Sequence, residues 1–116
     1  MIVVHVDSTV HPGVTVISLQ GDIDGKSAPA TQEAVFAAVP EEGAVVLDMR
    51  GVAYMSSAGL RMLLLLYRQT TGNGMDIALA GLGDEIQDVM DATGFLAHFT
   101  VADDVEAALA AMWDRP

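Results

Sequence analysis

The stretch Ala44-Val45-Val46-Leu47-Asp48-Met49-Arg50-Gly51-Val52-Ala53-Tyr54-Met55-Ser56-Ser57-Ala58-Gly59-Leu60 carries the reading of the whole chain. Ala44 to Leu47 is an unbroken apolar run inside Gly43 to Met49. It is too short for a helix and reads as a central strand covered on both faces. Arg50 to Met55 reads as a loop. At Ser56-Ser57 the period changes. Leu60, Leu63, Leu64 and Tyr67 recur at helical spacing, and Met62, Leu65 and Leu66 widen the apolar surface. This helix is expected to run to about Thr71, with Gly72 and Gly74 ending it, and to lie buried against a sheet.

The flanks extend the same alternation. Ile2 to Val6 and Val14 to Gln20 read as strands joined in a hairpin by His11-Pro12-Gly13. Gly21-Asp22-Ile23-Asp24-Gly25 breaks the pattern. A helix follows, with Ser27 as its expected N-cap, Pro29 in its first turn and Ala30, Ala34, Val35 and Ala38 at helical spacing. Pro40 lies just beyond its end. Met75 to Ala80 reads as a strand and Asp84 to about Ala92 as a helix stopped by Gly94. Phe95 to Val101 reads as a short strand or extended segment. Asp103-Asp104 would cap a last helix from Val105 to about Asp114. Strands alternating with helices after a hairpin imply an α/β fold: a mixed sheet of four or five strands packed with about four α-helices. The length, 116 residues, fits one domain over 1–116.

Composition narrows the function. Hydrophobic residues make up 52% of the chain, enough for a packed core, but aromatics only 5%, so aliphatic residues and Met must fill it. The net charge is −11, and the five basic residues, Lys26, Arg50, Arg61, Arg68 and Arg115, form no cluster. Nucleic acid and anionic membrane surfaces both need such a cluster, so neither is expected as a partner. A protein with a basic face suits the acidic balance better. There is no cysteine, which excludes disulfides and thiolate chemistry. Met1 is followed at once by Ile2-Val3-Val4-His5-Val6, with no basic segment or small-residue cleavage site. The longest apolar run, Met62 to Tyr67, ends at Arg61 and Arg68, far below the roughly 20 residues of a membrane span. The simplest expectation is a cytoplasmic protein, a monomer or weak dimer.

Little here resembles an active site. The histidines, His5, His11 and His98, have no paired metal-ligand spacing, and no metal or other cofactor is expected. Asp22 and Asp24 could hold a cation or act as acid and base, but no third ligand follows at loop spacing. A turn and helix-capping pair is the plainer account, and a negatively charged docking rim a third. Ser56 and Ser57 do not sit in a G-x-S-x-G elbow, and Gly81-Leu82-Gly83-Asp84 lacks the third glycine of a dinucleotide loop. The chain is therefore read as a binding module and not an enzyme. Its most informative point is the start of the helix at Ser57. Ser56, Ser57, Ala58 and Gly59 are small, so little bulk covers a helix terminus whose N–H groups and dipole favour a serine cap or a phosphate.

Residues Asp48 to Leu60 resemble the signature of the STAS domain, as found in bacterial anti-sigma factor antagonists. That signature is an apolar strand ending in Asp, a short loop with an aromatic, then Asp-Ser-[Ser/Thr]-Gly-Leu opening a helix. Gly21-Asp22-Ile23-Asp24 is similar to the family's Gly-[Glu/Asp]-Leu-Asp after the second strand, and Asp91-Ala92-Thr93-Gly94-Phe95 to its later turn. The likeness covers nearly the whole chain. It departs at two points: Ser56 stands for the family's Asp and Ala58 for its second hydroxyl residue.

The resemblance implies a STAS fold and a protein-binding switch. Such a switch binds an anti-sigma factor, often a serine kinase, and so frees a sigma factor. The kinase phosphorylates a serine, which ends the interaction, and a metal-dependent serine phosphatase reverses the modification. Aligned on Gly59-Leu60, that serine is Ser57, with Ser56 the alternative. The implied docking surface comprises Asp22, Asp24, Ser56, Ser57, Ala58 and Gly59. Two other readings stand beside it. One is a STAS component of a different assembly, such as a lipid-transport complex or a stress-signalling scaffold. The other is a small enzyme using Asp22, Asp24 and Ser57.

Overall fold

The apolar run after Gly43 forms the middle of the sheet. In the computed structural model, which describes residues 5–113, Ala44 to Met49 are all buried. They belong to strand β3 (Ala44–Gly51), which pairs in parallel with β2 (Val14–Gln20) on one side and β4 (Asp76–Ala80) on the other. Strand β1 (His5–His11) is antiparallel to β2, and β5 (Thr100–Ala102) is parallel to β4. The order is β1-β2-β3-β4-β5 with no reversal.

That unreversed order dictates where the helices go. A parallel crossover to the next strand is right-handed in nearly all proteins, so successive crossovers in one direction put every connecting helix on the same face. Helices α1 (Ala28–Ala38), α2 (Ser57–Gly72) and α3 (Asp84–Ala92) cover the face carrying Ile17, Leu19, Val45, Leu47, Ile77 and Leu79. The other face, with Val14, Val16, Val46, Ala78 and Ala80, would be left wet. Helix α4 (Val105–Trp113), which follows the last strand, covers it with Ala108 and Leu109. The Asp104 carboxylate accepts the Ala107 N–H at 2.8 Å and caps this helix, as Asp103-Asp104 implied.

The expected mixed sheet and four α-helices are therefore present, with five strands. Several boundaries differ. The first strand runs from His5 to His11, up to the turn itself, while Ile2 to Val4 lie outside the described residues. Pairing with β2 holds Ser8 and Thr9 in the strand although neither is apolar. β3 continues through Arg50 and Gly51, where the sequence predicts a loop. Phe95 to Val101 divides into a 3₁₀ turn, Phe95–His98, and the start of β5. In α1 the buried residues are Ala28, Thr31 and Val35, and Ala30 and Ala34 face solvent. Buried Thr31 satisfies its hydroxyl by donating to the Ser27 carbonyl at 2.8 Å, so it can face the core. In α2 the buried stripe is Gly59, Met62, Leu63, Leu66 and Thr70; of the expected face of Leu60, Leu63, Leu64 and Tyr67, Leu63 is buried and the other three are half-buried.

The far end of β3 carries a buried carboxylate. Asp48 accepts hydrogen bonds from the Arg50 backbone N–H, Nε and a terminal guanidinium nitrogen, each at 3.1 Å. The Ser18 hydroxyl donates to it more weakly, at 3.4 Å. Burial works to raise the Asp48 carboxyl, but the Arg50 side chain and backbone N–H outweigh it and hold the group below its ordinary value. A Cβ at Gly81 would run into Arg50 Cγ, and Gly81 also has φ +70°. The arginine stem thus lies flat over a position only glycine serves.

A carboxyl lowered on folding contributes stability that is complete above its ordinary value of 3.8 and is lost as pH falls through its folded value. The expected outcome is that Asp48→Asn is less stable than the natural sequence at pH 7 and that the two proteins converge as pH falls below 3.8 and through the lowered folded value. Urea midpoints measured from pH 7 to pH 2 check this. A stability difference independent of pH would show that the Asp48 charge contributes nothing.

Candidate functional site

Two loops meet at the end of the sheet where β2 and β3 finish. The chain leaves β2 at Gln20, and the Gly21 N–H donates to the Gly51 carbonyl at 3.0 Å. Two residues on, the Ile23 N–H donates to the Tyr54 carbonyl at 3.0 Å, and the Ser56 N–H donates to the Ile23 carbonyl at 2.8 Å. Ile23 and Met55 thereby form one isolated parallel bridge beyond the strand ends. The Ile23 side chain is fully buried in the main core. This clamp carries Asp22 and Asp24, on either side of Ile23, to the start of α2.

Helix α2 begins at Ser57. Ser56 is the N-cap, with extended backbone and a hydroxyl that accepts the Ala58 N–H at 3.2 Å. Its carbonyl accepts from the N–H groups of Gly59 and Leu60. Ser57 is exposed on the first turn, and among the described residues nothing hydrogen-bonds its hydroxyl. The two neighbouring serines therefore differ: one hydroxyl is engaged in holding the helix end, and the other is presented to solvent. Ala58 is half-buried. Gly59 lies beneath the surface. A Cβ there would overlap Met55 Cγ and stand 3.0 Å from Ile23 Cγ2, so the helix can press against the Ile23–Met55 bridge only with glycine at this position. Gly59 thus lies buried between the first turn of α2 and the bridge beneath it.

Of the acidic pair, Asp24 takes the turn and helix-capping role that was the plainer account. The Asp24 carboxylate accepts the N–H groups of Lys26 and Ser27, both at 2.9 Å, and its carbonyl accepts the Ala28 N–H. The Ser27 backbone N–H is the leading cause that holds the Asp24 carboxyl below its ordinary value, followed by that of Lys26. Ser27 occupies the N-cap position of α1, as expected, but its side chain makes no cap hydrogen bond. Its hydroxyl turns back instead, accepting the Asp24 N–H at 3.0 Å and donating to the Asp22 carbonyl at 2.9 Å. Asp24 is thus the residue that organises the turn into α1. Asp22 is half-exposed, and among the described residues no donor reaches its carboxylate.

One surface residue was not singled out by sequence. Tyr54, in the loop before Ser56, is 53% exposed. It stands out because its neighbours Val52 and Met55 turn inward while its own carbonyl is fixed by Ile23. The position of an aromatic in the signature was the available signal. A groove of about 480 Å³ between α1 and α2 adjoins this surface, with Gly25, Ala28, Phe36, Ala58, Arg61 and Leu65 among its walls. Among the described residues no cluster of three His, Asp or Glu side chains is placed to hold a metal, and no helix is long and apolar enough to cross a membrane.

The fold and site define a class: an α/β module with an unreversed five-stranded sheet that presents a free serine at the first turn of a helix, beside an acidic turn and an exposed tyrosine. The chain belongs to the STAS domain family, whose model matches residues 5–108. It is 36% identical over 100 residues to BtrV of Bordetella bronchiseptica, a candidate anti-sigma factor antagonist, with 85% of this chain and 86% of that protein covered. It is 30% identical over 79 residues to the anti-sigma-B factor antagonist of Listeria monocytogenes, with 67% and 69% covered. The crystal structure of an anti-sigma factor antagonist from Mycobacterium paratuberculosis superposes with a TM-score of 0.80 at 29% identity, covering 96% of this chain and 95% of that one.

Two substitutions check the structural roles. Gly→Ala within a helix ordinarily stabilises by up to about 1 kcal/mol. Gly59→Ala is expected to destabilise instead, by about 1–3 kcal/mol, because the methyl group displaces Met55 and Ile23. Asp24→Ala is expected to lower the melting temperature, because two N–H groups lose their acceptor. Thermal unfolding followed by circular dichroism measures both. A Gly59→Ala protein more stable than the natural one would refute the close-approach account, and an unchanged Asp24→Ala melting curve would refute the capping role.

Proposed function

We propose that this STAS domain is an anti-sigma factor antagonist: it binds an anti-sigma factor of the serine-kinase type, releases a sigma factor, and is switched off by phosphorylation of Ser57. The observation that carries the reading is the difference between the two serines at the start of α2. Ser57 is exposed and its hydroxyl has no partner among the described residues, and Ser56 is engaged as the cap. The names of the relatives support an antagonist over a component of another STAS assembly. The reading assigns no catalytic role to the chain, and Asp24 is engaged in its turn, which leaves the enzyme alternative without its acid–base pair.

On this reading the partner meets Tyr54, Asp22, Ser57 and Ala58 on the surface formed by the two loops, with Asp24, Ser56 and Gly59 holding that surface in shape. Tyrosine is among the residues that most often anchor a protein contact. The net charge of −11 favours a partner with a basic face. A phosphate on Ser57 adds roughly −1.5 to −2 charges at the centre of the contact. The fold tolerates it, because the helix terminus supplies a favourable dipole. The complex does not, since burying an unmatched phosphate costs several kcal/mol, and about 4 kcal/mol is a thousandfold in affinity. A serine phosphatase acting on the modified form would restore binding.

Ser57→Asp is expected to bind the anti-sigma factor at least tenfold more weakly, and Ser57→Ala to bind constitutively and resist the kinase. Ser56→Ala is expected to lose about 1 kcal/mol of stability with its cap and still be phosphorylated. Tyr54→Ala is expected to weaken binding with an unchanged melting temperature. Titration calorimetry and peptide mass mapping after incubation with kinase and ATP read these outcomes. Phosphate found on Ser56 moves the switch by one residue, and a phosphorylated protein that binds undiminished defeats it.

A further inference from the structure

Among the described residues strand β1 is an edge of the sheet, and of the devices that usually guard an edge it carries one charged residue, Asp7. It spans seven residues, against three for the opposite edge β5. Its sequence, His5-Val6-Asp7-Ser8-Thr9-Val10-His11, holds no lysine, arginine or proline. Its register with β2 runs without a bulge from His5 to His11. Edge strands otherwise tend to be short, bulged, or blocked by Lys or Pro, because alternate peptide groups of an edge face outward and invite pairing. Val10 on this strand is 80% exposed, the highest among the exposed large hydrophobic residues.

We infer that β1 pairs antiparallel with β1 of a second copy of this chain, across a two-fold axis through Ser8. The side-chain pattern selects that register. Val6, Ser8 and Val10 alternate onto one face of the sheet, the face on which Val6 packs against the main core. With the axis at Ser8, Val6 of each copy stands opposite Val10 of the other, so two apolar pairs form and both exposed Val10 side chains are covered. Moving the axis by one residue either way separates them. The result is a continuous ten-stranded sheet. The two-fold axis sends the ends of β2 and β3, and with them the two Ser57 surfaces, to opposite ends of the dimer, so pairing leaves the switch accessible. A contact of one strand per copy falls below the roughly 1,200 Å² of stable interfaces, and two copies of net charge −11 repel, so the dimer is weak and parts readily.

The natural chain has no cysteine, which makes the test direct. Cα atoms of directly opposed antiparallel residues lie about 4.5–5.5 Å apart, within the range of a disulfide. Ser8→Cys is therefore expected to form a covalent dimer under mild air oxidation much faster than Thr71→Cys, another exposed position, at the far end of α2. Val10→Lys, at an exposed site, is expected to keep the melting temperature and to raise the dimer dissociation constant at least tenfold in sedimentation equilibrium. Ser8→Cys linking no faster than Thr71→Cys would overturn the inference. So would a natural protein that stays wholly monomeric at on the order of 1 mM, a concentration at which even a weak contact is populated.

Discussion

The site depends on a pair of backbone hydrogen bonds made past the end of the sheet, from Ile23 N–H to the Tyr54 carbonyl and from Ser56 N–H to the Ile23 carbonyl. They join two loops that are about thirty residues apart in sequence, a separation whose closure costs only a few kcal/mol of chain entropy. The sheet brings the loops close, since β2 and β3 are parallel neighbours and end together. The bridge then fixes their relative height. Because the Ile23 side chain is buried beneath it, sliding either loop would expose apolar surface or orphan a peptide group. Gly59 completes the arrangement by letting the first turn of α2 sit directly on the bridge.

The layering follows from equally simple constraints. Crossovers that keep one direction place α1, α2 and α3 on one face, and the chain must spend its last helix on the other. The two faces are filled differently. The three-helix side uses Leu, Ile and Met, and the α4 side is lined by Ala44, Ala78, Ala80 and Ala108 with small Val residues between. Small side chains let a single short helix approach the sheet closely enough to exclude water. With so few aromatics, shape matching by aliphatic residues does most of the packing.

Charge is arranged on two levels. Locally, the acidic residues that matter to the fold are satisfied: Asp48 by Arg50 and Ser18, Asp24 by the turn into α1, and Asp104 by the start of α4. Each is a carboxylate facing N–H or guanidinium donors, the strong form of hydrogen bond. Globally, most of the remaining acidic side chains are exposed and leave the surface strongly negative. Arg50 belongs to the first level, which leaves few basic residues to moderate the second. A molecule of this kind presents a smooth acidic field, interrupted at the start of α2 by the tyrosine, the small residues and the free serine.

The order of elements was legible in the sequence because each is signalled locally. The unbroken run at Ala44 to Leu47, the helical period after Ser57 and the glycines and prolines between elements act over a few residues, and all survived in the structure. The position of Ser57 at an exposed helix terminus was legible for the same reason. What depended on distant partners was not. Ser8 and Thr9 become strand only because β2 lies beside them, and Arg50 and Gly51 because β2 continues past Asp48. The inward face of α1 includes Thr31, whose hydroxyl is satisfied within the helix, a fact no hydropathy pattern carries. Asp22 and Asp24 have the same side chain and nearly the same neighbours in sequence. Only the folded turn separates them, giving Asp24 two N–H donors and leaving the Asp22 carboxylate at the surface. Sequence alone thus determined which elements form and where the exposed serine lies, because those are set by local periodicity and capping. The tertiary structure alone decided which acidic residue is structural, why position 59 is glycine and which tyrosine stands free, because each depends on contacts between loops that only the parallel sheet brings together.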